Sequence, residues 1–209
     1  MPIYPDHQLI FVHVPKTGGG TVTTILKPFE TAARHSALRH TIAKLPFPKP
    51  PSLLSFGTHD SAASMKLRLG ASRWDSWHSF SVVRNPYDRA ISEFEYLRQT
   101  KDHRRHNRAL RQSFLDFLRT EPRHRAVQTY LLTDGSGKLL VKELARFETL
   151  ADDVNAILQR QGLPAQLDNQ RRNTSEKKDR GHYLTDEAVK LINIRNADDF
   201  ALLGYDKIT

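Results

Sequence analysis

Residues 11–26 read Phe-Val-His-Val-Pro-Lys-Thr-Gly-Gly-Gly-Thr-Val-Thr-Thr-Ile-Leu, and this stretch decides the fold. The apolar run over residues 9–14 predicts a short strand, and the glycines that follow predict a tight turn. Beyond the turn, apolar residues recur with the spacing of one helical face: Val22, Ile25, Leu26 and Phe29. The sequence therefore predicts a strand, a glycine turn and an amphipathic helix in direct succession.

The turn between this strand and helix has the composition of an anion-binding site. Glycine lets backbone N–H groups approach a ligand closely, and the first turn of a helix carries partial positive charge. Lys16 adds a full positive charge, while Thr17 and Thr21 add hydroxyl groups. The predicted ligand is a phosphate or sulfate group. In the loop of nucleoside-triphosphate-binding proteins the lysine follows the glycines, whereas here it precedes them, so the sequence does not match that loop.

A second strand–helix unit with an anion site begins at residue 80. Residues 80–84 predict a strand, and Asn85 and Pro86 are residue types preferred at a helix cap and at the first helical position. Arg84 offers forked guanidinium donors at the strand end, and Ser92 offers a hydroxyl group from the helix. Both groups are suited to binding phosphate.

Both segments resemble those of sulfotransferases that use 3′-phosphoadenosine 5′-phosphosulfate (PAPS). Residues 15–19, Pro-Lys-Thr-Gly-Gly, are similar to the loop that binds the 5′-phosphosulfate in the carbohydrate (heparan or chondroitin) branch of that superfamily. Residues 84–92 resemble the motif that binds the 3′-phosphate, and the Phe-Glu pair at residues 147–148 resembles a strand end of the same branch. The chain departs from the pattern at Gly20, where a hydroxyl residue is usual.

The resemblance implies a set of cofactor-binding residues. The implied contacts to the 5′-phosphosulfate lie in the turn and the helix start: Lys16, Thr17, Gly18, Gly19, Gly20, Thr21 and Val22. Arg84 and Ser92 are the implied contacts to the 3′-phosphate, and Arg180 with Gly181 is similar to a late basic loop that closes over the same phosphate. The implied donor is PAPS, and the implied product is 3′-phosphoadenosine 5′-phosphate (PAP). The implied acceptor is a hydroxyl-bearing molecule, with a saccharide favoured.

Sulfuryl transfer requires stabilised charge on the leaving oxygen and a base for the acceptor hydroxyl. Lys16 is the predicted charge stabiliser. His59, after Phe56-Gly57, is the predicted catalytic base, because imidazole accepts protons near neutral pH and the family often places a base in this part of the chain. The alternative for His59 is a capping or packing role. His13 and Glu148 are predicted to be structural.

Composition predicts one domain over residues 1–209, because this length can bury a sizeable core and no linker interrupts it. The implied fold is α/β, three-layered and P-loop-like, with a parallel sheet flanked by helices. The absence of cysteine excludes disulfides and thiolate metal sites, and no His, Asp or Glu cluster has metal-ligand spacing, so no metal is expected. No apolar run approaches a membrane span and no signal peptide is evident, which predicts a cytoplasmic protein without a membrane anchor.

The net charge of +9 is concentrated in residues 101–125, which carry eight basic and three acidic residues. A surface for an acidic acceptor and a solvated basic helix are both compatible with this segment. Two further functions are therefore kept as alternatives. A nucleotide-binding phosphotransferase or kinase would need a magnesium-binding carboxylate and a Gly-Lys-Ser/Thr loop, which the sequence lacks; a non-catalytic polyanion or nucleic-acid binder would use the basic segment. Nucleic acid is not the expected partner.

The remaining pattern predicts elements between these motifs. Residues 30–52 are predicted to form a long loop, residues 53–58 a strand, and the following residues a helix that ends at Gly70. Residues 139–147 are predicted to be extended. Further helices are predicted to start at Leu150 and after Thr185.

Overall fold

The structure, a computed structural model, describes residues 3–30, 45–164, 166–168 and 180–209. These residues form two compact units. The first unit contains residues 3–30, 45–83, 131–164 and 166–168, and the second contains residues 84–130 and 180–209. Most of the predicted loop over residues 30–52 lies outside the described residues.

The described part of the chain contains four strands and twelve α-helices. The strands are β1 (Ile3–Tyr4), β2 (Leu9–Val12), β3 (His78–Val83) and β4 (Glu143–Arg146). The helices are α1 (Gly19–Leu26), α2 (Ala62–Leu69), α3 (Ala71–Ser76), α4 (Pro86–Gln99), α5 (His106–Leu110), α6 (Phe114–Thr120), α7 (Arg123–Ala126), α8 (Thr129–Leu132), α9 (Leu150–Arg160), α10 (Arg180–Tyr183), α11 (Asp186–Arg195) and α12 (Ala197–Leu203). Short 3₁₀ turns lie at Pro5–His7, Lys27–Phe29, Pro51–Leu53 and Phe147–Thr149.

The sheet of the first unit has the strand order β1-β2-β3-β4. β2, β3 and β4 are parallel, and β1 is an antiparallel edge strand that the sequence pattern did not predict. Phe11 lies opposite Phe80, and Val83 lies opposite Arg146. Because β2 and β3 are parallel, the glycine turn and Arg84 follow the carboxyl ends of neighbouring strands, where α/β proteins place their ligands.

One face of this sheet is covered by α1 and α9. Val22 and Leu26 of α1 are fully buried and belong to one core cluster with Phe11, Phe80 and Val154. Pro28 follows the end of α1 and starts a 3₁₀ turn, as the helical pattern predicted. The parallel sheet flanked by helices confirms the predicted α/β, P-loop-like fold class. The single domain stays a prediction.

The strand predicted over residues 53–58 is wrong. A 3₁₀ turn ends at Leu53, and the chain then runs irregularly to Ser61. Side chains satisfy this backbone where a neighbouring strand would otherwise do so: the Gly57 amide donates to Asp60 Oδ2 at 3.0 Å, and the Arg68 guanidinium donates to the Ser55 carbonyl. The helix that follows begins and ends as predicted, capped by the Ser61 hydroxyl and closed by Gly70.

The second unit is built around α4. Its core is aromatic and includes Tyr87, Phe94, Phe114, Phe117 and Phe200, with Phe94 and Phe117 rings 5.3 Å apart. The predicted apolar face of residues 101–125 is confirmed at the three phenylalanine and leucine positions of α6. It is wrong at Leu110, which is 52% exposed because the chain turns between α5 and α6.

Candidate functional site

The glycine loop, residues 15–21, links β2 to α1 through two backbone positions in the left-handed region. Lys16 has φ 67° and Gly18 has φ 82°. Gly18 is the N-cap of α1, and no side chain among the described residues caps this helix start. A lysine in this conformation costs roughly 1–2 kcal/mol, and such strain is found where the surrounding structure requires it. The loop therefore holds Lys16 in a fixed, disfavoured geometry at the start of a helix.

Close packing explains two of the three glycines. A Cβ on Gly19 would lie 2.1 Å from Cδ2 of His13, and a Cβ on Gly18 would lie 2.9 Å from the Leu150 side chain. Gly20 is different, because a Cβ there would meet nothing within 4 Å. The helix start is thus packed against the protein at Gly18 and Gly19 and open at Gly20.

The hydroxyl residues of the loop are only partly available to a ligand. Thr17 is fully buried, and its hydroxyl group donates to the Val14 carbonyl at 2.9 Å. Thr21 is half-buried, and its amide donates to the Gly18 carbonyl at 3.0 Å. The Val22 side chain lies in the core, and its amide is 3.5 Å from the same carbonyl. Lys16 and the amides at Gly18, Gly19 and Gly20 remain the groups best suited to an anion.

His59 lies in the same unit and is oriented by the strand that precedes the loop. Its Nδ1 is 3.1 Å from the carbonyl oxygen of His13. A carbonyl can only accept, so Nδ1 carries the proton and Nε2 of the neutral ring carries the lone pair. The two rings are 4.7 Å apart in an edge-on arrangement, and His59 is exposed. The geometry therefore gives His59 the tautomer that can accept a proton at Nε2.

The turn that carries His59 is held by an ion pair the sequence did not reveal. Asp60 Oδ2 accepts from the guanidinium of Arg68 at 2.9 Å and from the Gly57 amide. Arg68 is buried, and its guanidinium also lies 4.4 Å from the Phe56 ring centroid. The eight-residue spacing of Asp60 and Arg68 has no motif to signal it. Together these contacts fix the residues on both sides of His59.

His13 lies beneath the helix start, against Gly19, and stacks on Phe11 with ring centroids 5.6 Å apart. Burial, with His59 nearby, lowers the pKa of His13 to about 4. Its buried Nδ1 has no hydrogen-bond partner among the described residues. His13 is therefore neutral at neutral pH and links the glycine loop to His59, in keeping with its predicted structural role.

In the second unit, Arg84 is the residue directly after β3 and is half-buried. Its backbone N–H donates to Gln128 Oε1 at 2.9 Å, and its backbone carbonyl accepts from Gln128 Nε2 at 2.7 Å. Gln128 is fully buried, and sequence reasoning missed it because it lies 44 residues away without a motif.

The helix after Arg84 starts as predicted. Asn85 Oδ1 accepts from the Tyr87 amide at 3.0 Å, and Pro86 occupies the first helical position. Ser92 is half-buried and lies one turn beyond Asp88, on the same face of α4. The guanidinium of Arg180 is 2.9 Å from the Asp88 carboxylate. This ion pair places Arg180 beside the face that carries Ser92.

The predicted site residues thus fall into two groups, each within one unit. The glycine loop, His13 and His59 lie in the first unit. Arg84, Ser92, Arg180 and the exposed Gly181 lie in the second unit. Residues 171–179 of the predicted late basic loop lie outside the described residues. Glu148 is exposed in the 3₁₀ turn before α9.

Two searches of the described residues bear on other kinds of site. Within those residues, no group of three or more His, Asp or Glu side chains could hold a metal ion. None of the helices in the described part of the chain has the length and apolar character needed to cross a membrane.

Comparison with known proteins gives one match. The model of a family described as "Sulfotransferase family" matches residues 1–206, which is nearly the whole chain. No curated protein matches the sequence.

Proposed function

Because the chain belongs to the sulfotransferase family, we propose that it moves the sulfuryl group of PAPS to a hydroxyl group of a saccharide. Sulfuryl transfer in general follows from the family. The donor, the acceptor class and the residue roles are the proposal, and the predicted cytoplasmic location stays with them as a prediction.

The glycine loop is the observation that carries the proposal. Lys16 is held at φ 67°, Gly18 begins the helix at φ 82°, and the position of a Gly20 Cβ is open. This combination suits a 5′-phosphosulfate: the lysine and the first helical amides supply positive potential, and the open position leaves room for the anion. The forked donors of Arg84 suit the 3′-phosphate, and Ser92 and Arg180 would support it.

The bound donor would supply the sulfuryl group, joined by an S–O bond to a phosphate oxygen that leaves with the electron pair. Lys16 would stabilise the negative charge on that oxygen. A unit charge about 4 Å away is worth roughly 4 kcal/mol at an effective dielectric of 20, which corresponds to about three orders of magnitude in rate.

His59 would act on the acceptor. Its Nε2 lone pair would take the proton of the acceptor hydroxyl as the new S–O bond forms, leaving a sulfate ester and PAP. The hydrogen bond from Nδ1 to the His13 carbonyl would keep the ring in the required tautomer.

Calorimetric titration of PAP, with AMP as the comparison ligand, tests the donor assignment. We expect micromolar binding of PAP, much weaker binding of AMP, and loss of the difference in Arg84→Ala. Arg111→Ala is the matched control, since Arg111 is an exposed arginine of the same unit. Equal binding of PAP and AMP by the unmodified protein would contradict the donor assignment.

A transfer assay with labelled PAPS tests the acceptor. Desulfated polysaccharides and short oligosaccharides are compared with a simple phenol under identical conditions. We expect label in the saccharides only. Transfer to the phenol alone would contradict the saccharide assignment while leaving sulfuryl transfer intact.

A further inference from the structure

The buried amide of Gln128 holds the main chain of Arg84 by two hydrogen bonds. The Arg84 N–H donates to Oε1 at 2.9 Å and the Arg84 carbonyl accepts from Nε2 at 2.7 Å. Arg84 follows the last residue of β3, and Asn85 has the non-helical backbone of an N-cap. The Gln128 amide thus supplies, at this one residue, the donor and acceptor that a neighbouring strand would supply.

Gln128 is itself held by a buried carboxylate. Its backbone N–H donates to Asp199 Oδ2 at 3.0 Å, and the amide and hydroxyl of Thr129 donate to Asp199 Oδ1 at 2.8 and 2.9 Å. Asn196 Nδ2 donates to Oδ2 at 3.0 Å. Asp199 and Gln128 are both fully buried. A carboxylate satisfied in this way is rigid, so Gln128 has a fixed support on α12.

This chain of contacts acts on the backbone of Arg84 and leaves its guanidinium group for other contacts. A long arginine side chain loses rotamer freedom when it binds a phosphate, and a fixed Cα reduces what remains to be ordered. Support of this kind around a binding residue is what gives a site its precision.

We infer that Gln128 is a positioning residue for recognition of the 3′-phosphate, acting through the main chain of Arg84. The inference rests on the proposed function, since it assigns Gln128 a role in the donor site proposed above. It adds a residue that no motif of the sequence indicated.

The test uses Gln128→Met, which keeps the length of the side chain and removes both hydrogen bonds. PAP and AMP are titrated calorimetrically against the full chain. We expect the affinity for PAP to fall about tenfold or more and the affinity for AMP to change less than about twofold. Thr129→Val is the matched control: it removes a hydrogen bond to Asp199 but leaves Gln128 in place, and it should keep the preference for PAP.

A double-mutant cycle separates positioning from general damage. In an Arg84→Ala background, Gln128→Met should cause no further loss of the preference for PAP, because the two residues act as one unit. Gln128→Asn, whose amide is one methylene too short, is the second variant should the methionine variant be poorly folded, and it should lose the preference in the same way.

Three results would overturn the inference. One is a preference for PAP retained in both Gln128 variants but lost in Arg84→Ala. Another is an equal fall in the affinities for PAP and AMP, which would mark Gln128 as a general structural residue. The third is equal binding of PAP and AMP by the unmodified protein, and that result alone would also overturn the proposed donor site.

Discussion

His59 Nδ1 lies 3.1 Å from the carbonyl oxygen of His13, so the backbone of one histidine sets the tautomer of the other. The consequence is a ring that presents its lone pair at Nε2 while its proton is occupied. Few contacts in the first unit bear as directly on chemistry, because this one determines whether His59 can act as a base.

His59→Ala is expected to lower turnover by about 10²–10⁴-fold, the usual contribution of a general base, while PAP binding stays close to that of the unmodified protein. Single-turnover transfer from PAPS and calorimetric titration of PAP separate the two effects. His124→Ala, which removes another exposed histidine, is the control and should keep normal turnover. Normal turnover of His59→Ala would remove His59 from the mechanism.

Lys16→Gly is expected to separate activity from stability. Glycine accepts the backbone φ of 67° without strain, although it also increases the entropy of the unfolded chain, so the free energy of unfolding should change by less than about 1 kcal/mol. Loss of the charge should lower turnover by about 10²–10³-fold.

Urea unfolding and the transfer assay measure the two quantities for Lys16→Gly. Lys16→Arg, which keeps the positive charge, is the companion variant and should retain more activity than the glycine variant. If both variants had the turnover of the unmodified protein, the charge of Lys16 would have no role in catalysis.

The lowered pKa of His13 predicts a specific loss of stability in acid. Between the ordinary value near 6.5 and the folded value of about 4, the unfolded chain binds a proton that the folded chain does not. The stabilising contribution is therefore complete above about pH 6.5 and lost as the pH falls to about 4, by on the order of 3 kcal/mol.

The His13 prediction is checked by urea unfolding at a series of pH values. His13→Phe keeps a ring beside Phe11 but cannot titrate. The unmodified protein should lose more stability than this variant across the window from pH 6.5 to 4. Parallel pH profiles for the two proteins would show that His13 does not contribute.

Adjacent glycines of the loop should respond in opposite directions to the same substitution. Gly19→Ala places a Cβ 2.1 Å from the packed ring of His13, and overpacking of this kind costs roughly 1–3 kcal/mol. Gly20→Ala meets no atom within 4 Å and adds a better helix former, so it should stabilise by up to about 1 kcal/mol. Chemical denaturation of the pair is the measurement, and equal effects would contradict the packing described here.

Local sequence signals predicted the parts of the fold that local interactions determine. The strand, turn and helix around Gly18 were correct because apolar spacing and glycine conformation act over a few residues. The caps at Ser61, Asn85 and Thr185 were correct for the same reason, since each side chain accepts from an amide two or three positions later.

The missed features depend on residues far apart in the chain. Residues 53–58 have strand-like composition, but Asp60 and Arg68 satisfy their backbone and no neighbouring strand is needed. The contact of Gln128 with Arg84 joins positions 44 residues apart, and its contact with Asp199 joins positions 71 residues apart. No periodicity or motif encodes such pairs, so only the folded structure reveals them.

Gln128 grips the main chain at position 84, and main-chain N–H and C=O groups are common to every amino acid except proline. Position 84 is consequently a socket that presents whatever side chain it carries from the same starting point. Which terminal group of a nucleotide the protein accepts is then separable from how the protein folds. Substrate preference at this position can be exchanged by a single codon, in the laboratory or during divergence of the family, without redesign of the scaffold around it.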